Sequence, residues 1–280
     1  MNYQKILNKG SKILKINNIK SFNLDSQLLL SSTLKIDRSN LILNLDKKIN
    51  NNETKNFFDF IERRRKNEPI AYIIGYKEFW KNKFKVNNNV LIPRPDSEIL
   101  VEQVLREIST NSKKKILDIG TGSGCIIISI LNDRKTCSGV GIDISKKAIK
   151  IAKYNAKIQH LKNRIKFFNT NIDNFNLDKY DFIVSNPPYI KFNEIKSLDR
   201  DVRNYEPKIA LSGGIDGFSK IRQVVNKSSN LIKKSGKLFL EIGSTQTKEA
   251  IKILQLYGFY NNRVIKDFGN KNRCLISTKI

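Results

Sequence analysis

Apolar residues recur at three- and four-residue intervals through the first quarter of the chain. Ile6, Leu7, Ile13 and Leu14 fall on one helical stripe, Leu28, Leu29 and Leu30 follow a capping Asp25, and another segment runs from Ser39 to Leu45. Phe57, Phe58, Phe60 and Ile61 add a further apolar face before the basic turn Arg63-Arg64-Arg65-Lys66. Asparagine-rich breaks separate these pieces, so residues 1–77 are expected to form a small helical bundle. The period changes at Phe79. Phe79, Phe84 and Val86, then Val90, Leu91 and Ile92, flank Asn87-Asn88-Asn89, which predicts a β-hairpin linker over residues 78–95. Pro93-Arg94-Pro95 holds the chain extended, and Asp96 or Ser97 is placed to cap the next helix.

Residues 96–280 read as a second domain in which strands and helices alternate. Short apolar strands are predicted at Lys115–Ile119, Gly139–Ile142, Ile165–Phe168 and Phe182–Ser185, with later ones at Leu238–Ile242, Arg263–Lys266 and Cys274–Thr278. This alternation specifies an α/β, Rossmann-like domain whose mostly parallel sheet is covered on both faces.

Composition refines the picture in a few places. A chain of 280 residues has room for these two domains. No apolar run nears the roughly 20 residues that cross a bilayer, and the first residues lack the pattern of a signal peptide. A soluble, cytoplasmic monomer without a membrane partner is therefore expected. Cys125, Cys137 and Cys274 are scattered and form no CxxC pair, and His160 is the single histidine. Reduced thiols, no metal site and no histidine base are expected. The net charge of +26 invites a nucleic-acid reading, but lysine, asparagine and isoleucine are abundant together, as an AT-rich coding sequence would make them. A solvated basic surface is the favoured reading; transient proximity to the ribosome would suit it too.

Two loops carry chemistry. In Lys115-Ile-Leu-Asp118-Ile-Gly120-Thr121-Gly122-Ser123-Gly124 a strand runs into a glycine turn and then an apolar helix. The spacing is GxGxG, and ligands in open parallel sheets bind where this turn falls, at the carboxyl ends of the strands. Asp143 ends the next strand, placed to accept both ribose hydroxyls of an adenosine ligand. The second loop, Asn186-Pro187-Pro188-Tyr189, follows the strand ending at Ser185. Its prolines stiffen the turn and offer acceptors without donors. The Asn186 side-chain oxygen and the Pro187 carbonyl can each take one hydrogen of an amide or arylamine NH₂, orienting a poor nucleophile and stabilising the charge it gains. Tyr189 can pack against the planar group.

The chain resembles the release factor glutamine methyltransferases, the PrmC/HemK family. The resemblance rests on EPIAYIIGYKEFW, VLIPRPDSEILVE, ILDIGTGSG, VGIDIS, FIVSNPPYI, DVRNYEP, ALSGGIDGF, LFLEIG and KD-FG-NKNR in that order. It implies a class I S-adenosylmethionine-dependent methyltransferase fold of seven strands, the last antiparallel, with an N-terminal substrate-docking domain. It implies S-adenosyl-L-methionine as cofactor, and as partners the peptide chain release factors, methylated on the glutamine of their Gly-Gly-Gln motif. By motif position Asp118, Gly120, Thr121, Gly122, Ser123, Gly124 and Asp143 serve the cofactor. Asn171 is placed near the adenine, in a stretch where relatives carry an acidic-aromatic pair. Asn186, Pro187, Pro188 and Tyr189 bind the glutamine, and Asn186 also touches the cofactor. Arg94 is a candidate substrate-facing or supporting group, and Glu206-Pro207 positions the loop beyond the reacting turn. The alternatives are a ribosomal-protein glutamine methyltransferase and an enzyme acting on the exocyclic amines of adenine or guanine. The latter would be expected to carry a base-reading domain.

Overall fold

A computed structural model describes residues 1–280 and divides into two compact units, Met1–Tyr76 with Asp199–Tyr205, and Lys77–Leu198 with Glu206–Ile280. In the first unit, α1 (Tyr3–Ile16), α2 (Phe22–Leu34), α3 (Arg38–Leu43), α4 (Asn51–Arg65) and α5 (Ile70–Ile74) bury one shared apolar core. Asn2 caps α1 by accepting from Lys5 N–H, and Asn50 and Glu53 form a reciprocal capping box on α4. Asp25, expected as a cap, instead lies within α2. It is buried there because the Arg64 guanidinium donates to its carboxylate at 2.7 Å.

After Tyr76 the second unit opens with a hairpin of β1 (Tyr76–Phe79, its first residue assigned to the first unit) and β2 (Asn82–Lys85). This hairpin sits earlier than its predicted place, and its turn is Trp80-Lys81, with Trp80 at a φ of 54°. The three asparagines form a separate turn, in which the Asn87 side chain accepts from Asn89 N–H and the Asn87 carbonyl from Val90 N–H. A locally hydrogen-bonded asparagine turn needs no flanking strands.

Beyond it come α6 (Glu98–Glu107), β3 (Lys115–Ile119), α7 (Cys125–Asp133), β4 (Ser138–Asp143), α8 (Lys146–Ile158), β5 (Ile165–Asn169) and β6 (Tyr180–Ser185). The chain then contributes α9 (Arg200–Tyr205) to the first unit, where the Tyr205 hydroxyl donates to Lys66 O. It returns through α10 (Ser219–Leu231), β7 (Ile232–Glu241), α11 (Thr247–Leu256), β8 (Phe259–Lys266) and β9 (Asn272–Lys279).

The seven strands form one sheet in the order β5-β4-β3-β6-β7-β9-β8, with β9 antiparallel to both neighbours. Alternation along each strand divides the core. Ile116, Phe182, Val184 and Phe239 pack with α6, α7 and α8, whereas Leu117, Ile119, Ile183 and Leu240 pack with α10 and α11. β3 pairs with β4 on one side and β6 on the other. Strand order therefore reverses at β3, and a reversal opens a crevice at the carboxyl ends of the strands.

Candidate active site

β3 ends at Ile119, between Ile142 of β4 and Ser185 of β6. The turns leaving these three strands consequently open onto one cleft. Gly120 and Thr121 N–H both donate to Ile142 O, at 2.9 and 3.0 Å, and Gly122 N–H donates to Asp143 Oδ2 at 2.9 Å. Curling the chain back toward β4 in this way places Gly120, Gly122 and Gly124 at φ of 75°, 56° and 81°. Side chains are strained at such angles, and their absence leaves the backbone open to a ligand. A Cβ at Gly120 would meet nothing within 4 Å, so the space above the turn is empty.

Asp143 ties two turns together, because its other oxygen accepts from Ser145 N–H at 2.8 Å. Burial raises its pKa, and the two backbone donors oppose that rise. Asp118 lies beneath the glycine turn, 1% exposed. Thr121 Oγ donates to its Oδ2 at 2.7 Å, while Oδ1 has no partner. Burial pushes this carboxyl up to about 7, the Thr121 bond resisting and the neighbouring Asp143 charge adding to the rise.

Across the cleft, Ser185 Oγ donates to Ile119 O at 2.8 Å and pins the start of the Asn186–Tyr189 turn to β3. The Asn186 amide donates through Nδ2 to Ser97 Oγ at 2.9 Å, and Ser97 in turn donates to Glu241 Oε2 at 2.6 Å. The Tyr189 hydroxyl donates to Glu241 Oε1 at 3.4 Å and accepts from Arg273 at 3.4 Å. Burial pushes the Glu241 carboxyl up to about 7, against the Ser97 hydrogen bond and the Arg273 charge. Burial also pushes the Tyr189 phenol up to about 12, helped by the Glu241 charge. The Tyr189 carbonyl accepts from Gln246 Nε2, which also donates to Gly217 O. No protein donor is bonded to Asn186 Oδ1 or to the Pro187 carbonyl.

Gly120, Gly122, Asp143, Asn171, Asn186, Pro187 and Pro188 all line this cleft. Thr121 and Ser123 are buried behind the turn, and Gly124 caps α7. Two expected residues lie elsewhere. Tyr189 packs its ring against the core on the α10–α11 side, with its hydroxyl held at Glu241. Arg94 pairs at 2.5 Å with Glu206, whose buried carboxylate also accepts from Ile92 N–H at 3.2 Å. Glu206 thus ties the start of the segment after α9 to Ile92 and Arg94.

Sequence reading overlooked Ser97 except as a cap, and it assigned nothing to Glu241, Gln246 or Arg273. A signal for Glu241 did exist, since an acid inside the apolar run Leu238-Phe-Leu-Glu241-Ile is costly to bury without partners. The cleft fits S-adenosylmethionine by its donor set. Asp143 faces it with spare lone pairs for ribose hydroxyls, Leu91, Ile144, Ile172 and Val224 supply apolar walls for a base, and Gly120 and Gly122 bring bare backbone to its floor.

Residues 5–75 match the family described as the PrmC N-terminal domain, and residues 95–200 match the methyltransferase small domain. The chain is 40% identical to the release factor glutamine methyltransferase of Clostridium acetobutylicum, covering 100% of this chain and 99% of that one. It is 39% identical to the protein of the same name from Thermodesulfovibrio yellowstonii, covering 96% and 97%. It is also 35% identical over 99% of its length to a bifunctional methyltransferase of Rickettsia felis, of which it spans 58%. In fold it is similar to a methyltransferase from Pyrococcus furiosus, with a TM-score of 0.52, 15% identity, and coverage of 70% of this chain and 88% of that one.

Proposed function

The chain belongs to the release factor glutamine methyltransferase family, and on that premise we propose that it methylates the side-chain nitrogen, N5, of the glutamine in the Gly-Gly-Gln motif of peptide chain release factors. S-adenosyl-L-methionine supplies an electrophilic methyl group on a sulfonium. The protein's own residues do the rest. Asp143 accepts from the ribose hydroxyls, Asn171 and the apolar wall take the adenine, and the turn from Gly120 to Gly124 receives the remainder of the cofactor.

One observation carries the reading. Two acceptors that no protein donor occupies, Asn186 Oδ1 and the Pro187 carbonyl, stand on the turn beside the glycine floor. An amide NH₂ has two hydrogens to satisfy and a lone pair delocalised into its carbonyl. Gripping both hydrogens orients the nitrogen and stabilises the positive charge it gains as the methyl arrives. No strong base is required, because the proton becomes acidic only after attack. Pro188 stiffens the same turn, and Tyr189 supports it through its hydroxyl and its carbonyl rather than by facing the cleft.

The helical unit of residues 1–76 is assigned the docking of the release factor, and the enzyme is taken to act as a cytoplasmic monomer close to the ribosome. The deciding experiment incubates the protein with isotopically labelled cofactor and purified release factor, ribosomal protein or nucleic acid, and maps the label by mass spectrometry. Label on the Gly-Gly-Gln glutamine is expected. Label confined to ribosomal protein or to bases would overturn the assignment.

A further inference from the structure

We propose that Ser97 and Glu241 are positioning residues that hold the Asn186 amide with its oxygen turned to the cleft, and that the ionised form of Glu241 sets this orientation. The inference rests on the reading that Asn186 Oδ1 accepts from the substrate amide.

Hydrogen supply fixes which way the amide faces. A serine hydroxyl has one hydrogen to give and lone pairs to receive with, while an ionised carboxylate only receives. Glu241 Oε2 lies 2.6 Å from Ser97 Oγ and takes that single hydrogen in a short, charge-assisted bond. Ser97 Oγ can then only accept from Asn186, 2.9 Å away. The group that Asn186 presents to it must therefore be the NH₂, and the planar amide turns Oδ1 the other way. A protonated Glu241 releases this constraint. Its hydroxyl can donate to Ser97 Oγ, which frees the serine hydrogen to turn toward Asn186 and lets the amide rotate to offer its oxygen there. In that rotamer the cleft meets an NH₂ group, which repels the substrate NH₂ instead of gripping it.

The setting favours a carboxyl that changes state near neutrality. Glu241 is 2% exposed near the end of β7. The groups facing it are the Tyr189 hydroxyl from the reacting turn, Asp96 and Ser97 from the segment before α6, and Arg273 and Cys274 from β9. Burial pushes it up most strongly and Asp96 adds to the rise, while Ser97, Arg273 and Tyr189 hold it down, leaving it at about 7. The carboxylate form needed for the active amide orientation thus fills in as pH passes through neutrality.

The test uses the full-length enzyme, Ser97→Ala, Ser97→Thr and Glu241→Gln, with two readouts. In the first, kcat and the cofactor KM are measured from pH 6 to 8.5 on release factor. Wild-type kcat should rise with pH around 7, and Glu241→Gln should lose that limb and fall at least about tenfold at pH 8. Ser97→Ala should fall comparably, Ser97→Thr should recover most of that loss, and cofactor KM should stay within about twofold throughout. The second readout needs no substrate. The Asn186 side-chain amide, observed by NMR in protein labelled with ¹⁵N at asparagine and assigned by its loss in Asn186→Ala, should shift with a midpoint near 7. In Glu241→Gln and Ser97→Ala it should not. A Glu241→Gln enzyme that keeps wild-type kcat and its pH limb, or an Asn186 signal that titrates alike in wild type and both variants, would overturn the proposal. Failure of the wild type to methylate the glutamine would instead overturn the function proposed above, and the Asn186 titration would still decide this inference.

Discussion

The glycine turn at residues 120–124 is held by its neighbours in the sheet, through backbone bonds to Ile142 and one carboxylate 21 residues further on. The reacting turn across the cleft is held by side chains from far along the chain. Ser97 lies 89 residues from Asn186, Gln246 57 residues from Tyr189, and Glu241 144 residues from Ser97. Each side also rests on one buried carboxyl pushed up to about 7, Asp118 under the glycines and Glu241 under the turn. Asp118 has an oxygen without a partner, whereas both Glu241 oxygens are engaged. A backbone cradle suits a cofactor that every turnover brings in the same shape. A side-chain network suits the finer task of aiming one amide.

Separate substitutions should pull the two sides apart. The largest effect is expected at Asn186→Ala, which removes an acceptor that matters most as charge develops on nitrogen. Turnover should drop by roughly 10²–10³-fold while calorimetric affinity for the cofactor stays within about twofold. Asp143→Ala should do the reverse. Losing the carboxylate that accepts from Gly122 N–H, and that is proposed to accept from the ribose, should weaken cofactor binding by about 2–3 kcal/mol, on the order of 100-fold. If Asn186→Ala lost cofactor affinity as severely as Asp143→Ala, the two sides would not be separable.

The same difference governed what could be read from sequence. Glycine turn, following strand and terminal Asp143 arrive in order within one βαβ unit, so spacing alone marked them. Asn186-Pro187-Pro188 was legible too, because prolines directly after a strand leave few other readings. Its supports were not. No periodicity links Ser97 to Glu241, and they meet only because α6 packs beside β7. The partner of Tyr189 was hidden for a related reason: a tyrosine in this turn suggests contact with a ligand, and only the fold reveals Glu241 behind its hydroxyl. The seven strands were found from their apolar runs, while the hairpin was set too late because asparagine clusters mark turns without saying what they join.

A smaller effect should come from Gly217→Ala, which tests the reacting side without touching Asn186 Oδ1 or the Pro187 carbonyl. Gly217 has a φ of 80°, and an added Cβ would lie 2.8 Å from the Tyr189 carbonyl and 2.9 Å from Gln246 Nε2. The backbone cannot yield cheaply there, so the turn should shift. About 1–3 kcal/mol of stability and roughly tenfold in kcat should be lost, with cofactor affinity retained. Loss of affinity without loss of kcat would assign the Gly213–Gly217 loop to the cofactor side.

The smallest effect is a difference in how stability follows pH. In the folded protein burial lifts Glu241 from 4.5 to about 7. The folded state therefore holds this proton more tightly than the unfolded chain does. Its contribution to stability is fully present below pH 4.5 and is lost as pH rises through 7. Glu241→Gln has no proton to release. Asp118 is also raised to about 7, but it titrates in both proteins and cancels from their difference. Between pH 6 and pH 8 the denaturant-derived stability of Glu241→Gln relative to wild type should rise by about 1 kcal/mol. The variant should be gaining stability over the range in which wild-type turnover is gaining its active amide orientation. A difference that stays flat across this window would mean that Glu241 keeps one protonation state throughout, and the cost of ionising the reacting side would have to be sought elsewhere.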